Sequence, residues 1–155
     1  MRPYADTNLF SRFYLELPGS AAADELMAEA RTGKVTPLAI TWLHRAELVN
    51  AFEFSVWLGR QPGHPRVTAQ QAAVAWATFR EDLAAGGFIQ RVRLDEADLE
   101  RQFESLALRH TARHGFRAYD LLHVAAALLL ACDTFWSFDE RARKLAALEG
   151  LRLPA

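Results

Sequence analysis

The sequence predicts a layered α/β fold, with a central, mostly parallel sheet of four to five strands flanked by helices. Short apolar strand-like runs alternate with longer helix-like stretches along the whole chain, which is the pattern of layered folds built on parallel strands. Capping and turn residues punctuate those stretches. Two predicted strands end in an aspartate, Asp6 and Asp139, and open α/β sheets gather their ligands at the carboxyl ends of strands.

The elements follow in order. Residues 2–5 read as a short strand, in which Pro3 is tolerable near the first position. Residues 8–17 and 20–32 read as helices separated at Pro18-Gly19, with Ser20 as N-cap and Gly33 as C-terminal stop. Residues 35–40 read as a strand, where Pro37 argues for an edge or a bulge. Thr41 caps a helix to about Leu58, and a proline- and glycine-rich stretch from Gly59 to Arg66 forms an internal loop. Thr68 caps the next helix, which ends at Gly86-Gly87 before a strand over 88–92. Asp95 caps a helix to about His114, closed by Gly115. A very apolar helix over 117–131, a strand over 134–138 and a short helix over 140–148 complete the pattern, and residues 151–153 can form a last strand.

Composition bounds the function classes. A chain of 155 residues is one domain by length, spanning 1–155, and buries a substantial core. It is 51% hydrophobic and 24% charged, ordinary for a soluble globular protein. A net charge of −1 excludes a global electrostatic footprint for nucleic acid, so a polyanion site needs a local basic patch or bound metal. Cys132 stands alone, which excludes an intramolecular disulfide and a cysteine-rich zinc site. The N-terminus shows no apolar signal core, and the longest apolar run, Val124 to Cys132, is too short to span a bilayer. A soluble cytoplasmic protein without membrane contact is expected.

Four carboxylates stand out against apolar neighbours. Asp6 ends the opening strand, Asp139 ends the strand over 134–138, Glu47 lies within Leu43–Val49, and Asp120 lies within Ala118–Leu122. Buried like charges repel, and without a partner some would protonate. A hard divalent cation removes the conflict and suits oxygen ligands. Each residue also has a plainer reading. Asp6 and Asp139 can cap the helices after them, Glu47 can sit on a solvated helix face, and Asp120 can pair with Arg117 three residues earlier. Thr7, Asn8 and Ser137 can be capping or turn residues.

Tyr4-Ala5-Asp6-Thr7-Asn8 resembles the opening signature of the PIN-domain ribonucleases. The segment from Asp120 to Ala127, followed by Thr134–Asp139, resembles their closing signature and is the more specific part. The resemblance covers essentially the whole chain, and the size is similar to that of VapC-type toxins of toxin–antitoxin modules. It implies a PIN-like three-layer fold and Mg²⁺- or Mn²⁺-dependent endonucleolytic cleavage of RNA. It also implies an acidic quartet of Asp6, Glu47, Asp120 and Asp139, helped by Thr7, Asn8 and Ser137. Two departures stand out: Pro3 interrupts what is usually an aliphatic first strand, and Ser137 replaces a frequent threonine. Magnesium keeps several waters and needs only one or two direct carboxylates. Asp6 and Asp120 are therefore expected as direct ligands, with Glu47 and Asp139 completing the site directly or through water.

Further candidates surround this set. His123 shares a helix face with Asp120, and it can touch substrate, orient a carboxylate or simply be a hydrogen-bonded core histidine. Arg113 and Arg117 belong to the most basic stretch near Asp120 and can hold RNA phosphates, or they can be solvated charges at a helix end. Arg141, Arg143 and Lys144 read as a solvated face. Phe52, Phe54, Val56 and Trp57 are too dense for one buried helix face, so part of that surface is expected to meet a partner. In the resembling toxins that partner is a cognate antitoxin, and homodimers are common. Competing functions are a non-toxin PIN nuclease in RNA processing and a catalytically silent module that binds RNA or protein. A phosphatase with an aspartyl nucleophile would need an aspartate where Asn8 stands.

Overall fold

A computed structural model describes residues 1–154. Its elements run β1 (Pro3–Ala5), α1 (Thr7–Leu15), α2 (Ser20–Arg31), β2 (Leu38–Ile40), α3 (Trp42–Leu58), α4 (Ala69–Ala85), β3 (Ile89–Arg91), α5 (Glu96–His114), α6 (Ala118–Leu129), β4 (Thr134–Trp136) and α7 (Glu140–Leu148). All strand pairing is parallel, as expected. The ladder is nevertheless two pairs rather than one continuous sheet: β1 with β4, and β2 with β3. The pairs meet where β1 packs beside β2, and the Thr36 N–H donates to the Met1 carbonyl at 3.3 Å.

All five predicted strands shorten, those over 2–5 and 88–92 to Pro3–Ala5 and Ile89–Arg91. The one over 35–40 begins only at Leu38, because Pro37 has no N–H to give a ladder. The one over 134–138 stops at Trp136, and the Ser137 hydroxyl bonds Asp6 and the Asp139 N–H beyond it. The last, over 151–153, reduces to a single bridge between Arg152 and Thr134. Ser20 is not the cap of its helix. Gly19 takes that position at φ 91°, and the Ser20 hydroxyl instead donates to the Arg12 and Leu17 carbonyls, fastening the turn between α1 and α2. The caps at Thr41, Thr68 and Asp95 stand as predicted, as does the left-handed Gly115 that ends α5.

Alternation along the strands builds the layers. Tyr4 lies opposite Phe135 and Ala5 opposite Trp136. Tyr4 and Phe135 stack at 5.7 Å and point into a core made with α5, α6 and α7. Ala5 and Trp136 point the other way, into a core made with α1, α2, α3 and α4. The result is helices, strands, helices. The dense aromatic face of α3 divides as expected: Phe52 and Val56 are buried, whereas Trp42, Phe54 and Trp57 are more than half exposed. Among the described residues no helix is long and apolar enough to cross a membrane.

Candidate active site

The four carboxylates arrive on four different elements and line one cleft of about 600 Å³. Asp6 follows β1 directly, and its N–H donates to the Trp136 carbonyl at 3.0 Å, so it continues the β1–β4 pairing into the site. Glu47 faces the cleft from α3, Asp120 from the first turn of α6, and Asp139 from the start of α7. The plainer readings of Asp6 and Asp139 also hold. Asp6 caps α1 by accepting from the Leu9 N–H at 3.3 Å, and Asp139 caps α7 by accepting from Arg141 N–H at 2.8 Å. Capping and facing the cleft are compatible, because each carboxylate has two oxygens.

The small polar residues brace this set. Ser137 is buried, donates its hydroxyl to Asp6 Oδ2 and accepts from the Asp139 N–H at 2.9 Å, so one hydroxyl ties two of the carboxylates together. Asn8 accepts from the Phe138 N–H at 3.0 Å and its amide reaches Ser137 Oγ at 3.4 Å, which fixes the backbone leaving β4. Thr7 donates to Glu47 Oε2 at 2.8 Å. His123 is buried, with Nε2 on Glu47 Oε2 and Nδ1 2.9 Å from the Tyr4 hydroxyl.

The two arginines proposed for phosphate contacts part company. Arg117 lines the cleft, but its guanidinium lies on the carboxylates: Nη2 is 2.7 Å from Asp139 Oδ2, and Nε is 3.3 Å from Asp120 Oδ2. Its backbone N–H also donates to Asp120 at 3.0 Å, closing a capping box at the start of α6. Arg113 is exposed near the end of α5 and does not line the cleft.

Charge distribution within the cleft is uneven. Burial pushes the Asp6 carboxyl up to about 6, against the lowering influence of His123 and the Ser137 hydroxyl. Glu47 is also pushed up by burial, but its hydrogen bonds with His123 and Thr7 outweigh this and hold it below the ordinary value. Asp139 ends low as well: the N–H groups of Ala142 and Arg141, and then Arg117, overcome its burial.

The donor set fits a hard cation. It is all oxygen, and the burial that raises Asp6 marks a buried anion short of positive charge. Among the described residues no three such groups already lie together as a ready shell, and Arg117 and His123 engage the carboxylates. An ion entering here would have to take Asp120 and Asp139 from Arg117.

Sequence reasoning missed two residues. His44 is fully buried three positions before Glu47, accepts from the Thr41 N–H at 3.1 Å and reaches the Ala5 carbonyl at 2.8 Å through Nε2. A carbonyl only accepts, so Nε2 donates and the ring is neutral. Burial agrees, pushing its pKa down to about 3. This bond pins the start of α3 to the end of β1, and with it Glu47 to Asp6. Tyr4 is the other. The available signal for His44 was a polar residue on the inward face of the Glu47 helix; Tyr4 read only as strand.

The PIN domain family matches residues 4–148 of the chain. No curated protein matches it. Six solved chains do. One is the sarcin-ricin-loop-cleaving toxin VapC20 of Mycobacterium tuberculosis, 19% identical, with a TM-score of 0.61 over 92% of this chain and 93% of that one.

Proposed function

We infer that this chain, which belongs to the PIN-domain family, is a metal-dependent endoribonuclease and the toxin of a toxin–antitoxin module. The observation that carries the reading is the convergence of Asp6, Glu47, Asp120 and Asp139, from four elements, on one cleft at the carboxyl ends of parallel strands. Asp6 and Asp120, the two buried carboxylates, would hold Mg²⁺ or Mn²⁺, with Glu47 and Asp139 completing the site. Bound there, such an ion supplies Lewis-acid stabilisation of phosphate charge and makes water acidic enough to attack. The residues of this chain do the rest. Ser137 and Asn8 hold Asp6 and the backbone after β4, Thr7 and His123 hold Glu47, and Arg117, now on the carboxylates, would move to a scissile-strand phosphate when RNA binds. RNA is the substrate, a cognate antitoxin the partner, and the half-exposed Phe54–Trp57 stack a surface for that antitoxin or for a second copy in a homodimer. The cytoplasm is the compartment this role requires.

A catalytically silent RNA- or protein-binding module is the second reading, favoured by Arg117 already neutralising Asp120 and Asp139. Incubating purified protein with total cellular RNA in Mg²⁺, Mn²⁺ or EDTA separates the two. Discrete metal-dependent fragments, reduced roughly 100-fold or more in Asp120→Asn, support the nuclease. RNA binding without cleavage by either protein supports the silent module.

A further inference from the structure

We propose that Tyr4 and His123 are positioning residues that aim Glu47: a relay from the Tyr4 hydroxyl to His123 Nδ1, and from His123 Nε2–H to Glu47 Oε2, selects the oxygen that Glu47 presents to the cleft. The proposal rests on the reading of Glu47 as part of the catalytic site.

The direction of the relay follows from its ends. A carboxylate accepts, so Nε2 donates to Glu47. Tyr4 is fully buried, with its hydroxyl 2.9 Å from Nδ1. A phenol can donate or accept; in the neutral ring proposed here Nε2 carries the proton, so Nδ1 is the acceptor and the hydroxyl the donor. A histidine proton sits on one nitrogen according to what the other nitrogen meets. The Tyr4 hydroxyl thus sets the tautomer that Glu47 reads.

Both fixed donors converge on one atom. Thr7 Oγ1 donates to the same Glu47 Oε2 at 2.8 Å. Oε2 is doubly held, and Oε1 is the oxygen left for the cleft. The ring cannot turn to relax this arrangement. His44 packs against it edge-on at 5.2 Å and Tyr4 at 5.8 Å, and His44 is itself anchored by Thr41 and Ala5. Glu47 sits on a helix face with its side chain partly exposed to the cleft. Fixing its orientation before substrate arrives is how a supporting residue contributes to catalysis.

The test separates the relay from the nuclease reading. Nitrogen NMR of histidine-labelled, metal-free protein should show a bare Nδ1 and a protonated Nε2 for His123, and Tyr4→Phe should move the proton toward Nδ1. Protonation of both nitrogens, or no response to Tyr4→Phe, would overturn the relay whether or not the protein cuts RNA. In RNA cleavage, Tyr4→Phe should lower kcat roughly fivefold, the size of one hydrogen bond, with KM little changed. His123→Gln, whose amide can still donate to Glu47, should stay within a few-fold of wild type, and His123→Leu should fall roughly 10- to 100-fold. Adding Tyr4→Phe to His123→Gln should cost nothing further, because the hydroxyl acts through the ring. Additive losses would mean Tyr4 matters only for packing and would sink the proposal. If His123→Leu does not fold, the isosteric Tyr4→Phe and the NMR result decide alone. Absent cleavage by wild type, with the expected tautomer in place, would count against the nuclease and leave the relay supported.

Discussion

Arg117 Nη2 donates to Asp139 at 2.7 Å while Nε and the same Nη2 each reach Asp120 at 3.3 Å. A protein cation thus lies where the proposed site would take a metal. Arg117 is more than half exposed, so the pairing is screened and worth less than a buried one. Arg117→Met should therefore bind Mn²⁺ roughly two- to fivefold more tightly, within the range of a single exposed ion pair. It should also melt slightly lower without metal. Calorimetric titration of Mn²⁺ into the metal-free proteins measures this, and equal or weaker affinity in the variant would mean the arginine does not compete.

Asp6 and His44 give the metal-free protein opposed pH dependences. The Asp6 pKa rises from 3.8 unfolded to about 6 folded. Its contribution is then fully present below pH 4 and lost as pH rises through 6, amounting to up to about 3 kcal/mol at neutral pH. His44 falls from 6.5 to about 3, so its contribution is present above pH 6.5 and lost as pH falls toward 3. Asp6→Asn should remove only the first. Metal-free Asp6→Asn should be more stable than wild type at pH 7.5, and the advantage should vanish by pH 4. Denaturant melts across that range provide the comparison; a constant offset at every pH would show that Asp6 does not titrate in the folded protein.

Phe54 and Trp57 stack at 5.3 Å with about half of each side chain exposed. Neighbours that face inward, Phe52 and Val56, carry the packing of α3. Replacing both exposed rings by serine should change unfolding free energy by less than about 1 kcal/mol. If they form a homodimer surface, the same change should shift sedimentation of wild-type dimer toward monomer. Unfolding of the double variant would show instead that the pair belongs to the core.

Much of the site was legible before its geometry. Asp6 and Asp139 announced themselves by following strands, and Asp120 by its apolar neighbours; all three reach one cleft. The alternation of elements also told the layers correctly, because periodicity is a local property of the chain. What escaped was set by long-range contact. Whether Arg117 would meet phosphate or carboxylate depends on where α7 brings Asp139. Tyr4 looked like any strand aromatic, and only the approach of α6 gives its hydroxyl a partner. Strand ends were misread by a residue or more: Pro37 already signalled an interruption, but how far the ladder retreats at Leu38 and Trp136 is set by the partner strands.

Pairing of β1 with β4 joins positions 131 residues apart, the separation of Asp6 from Ser137. Every hydrogen bond that holds Asp6 in the cleft from the β4 side waits for that late segment. While the chain is being made, an emerging portion that lacks β4 has Asp6 and Glu47 but neither Ser137 nor Asp139, and its β1 has no ladder to join. Cleft assembly therefore waits for β4 and the start of α7, and a chain made only as far as residue 133 carries no complete set of carboxylates. The nuclease activity proposed above would in this way stay absent from the growing chain until translation had passed residue 139.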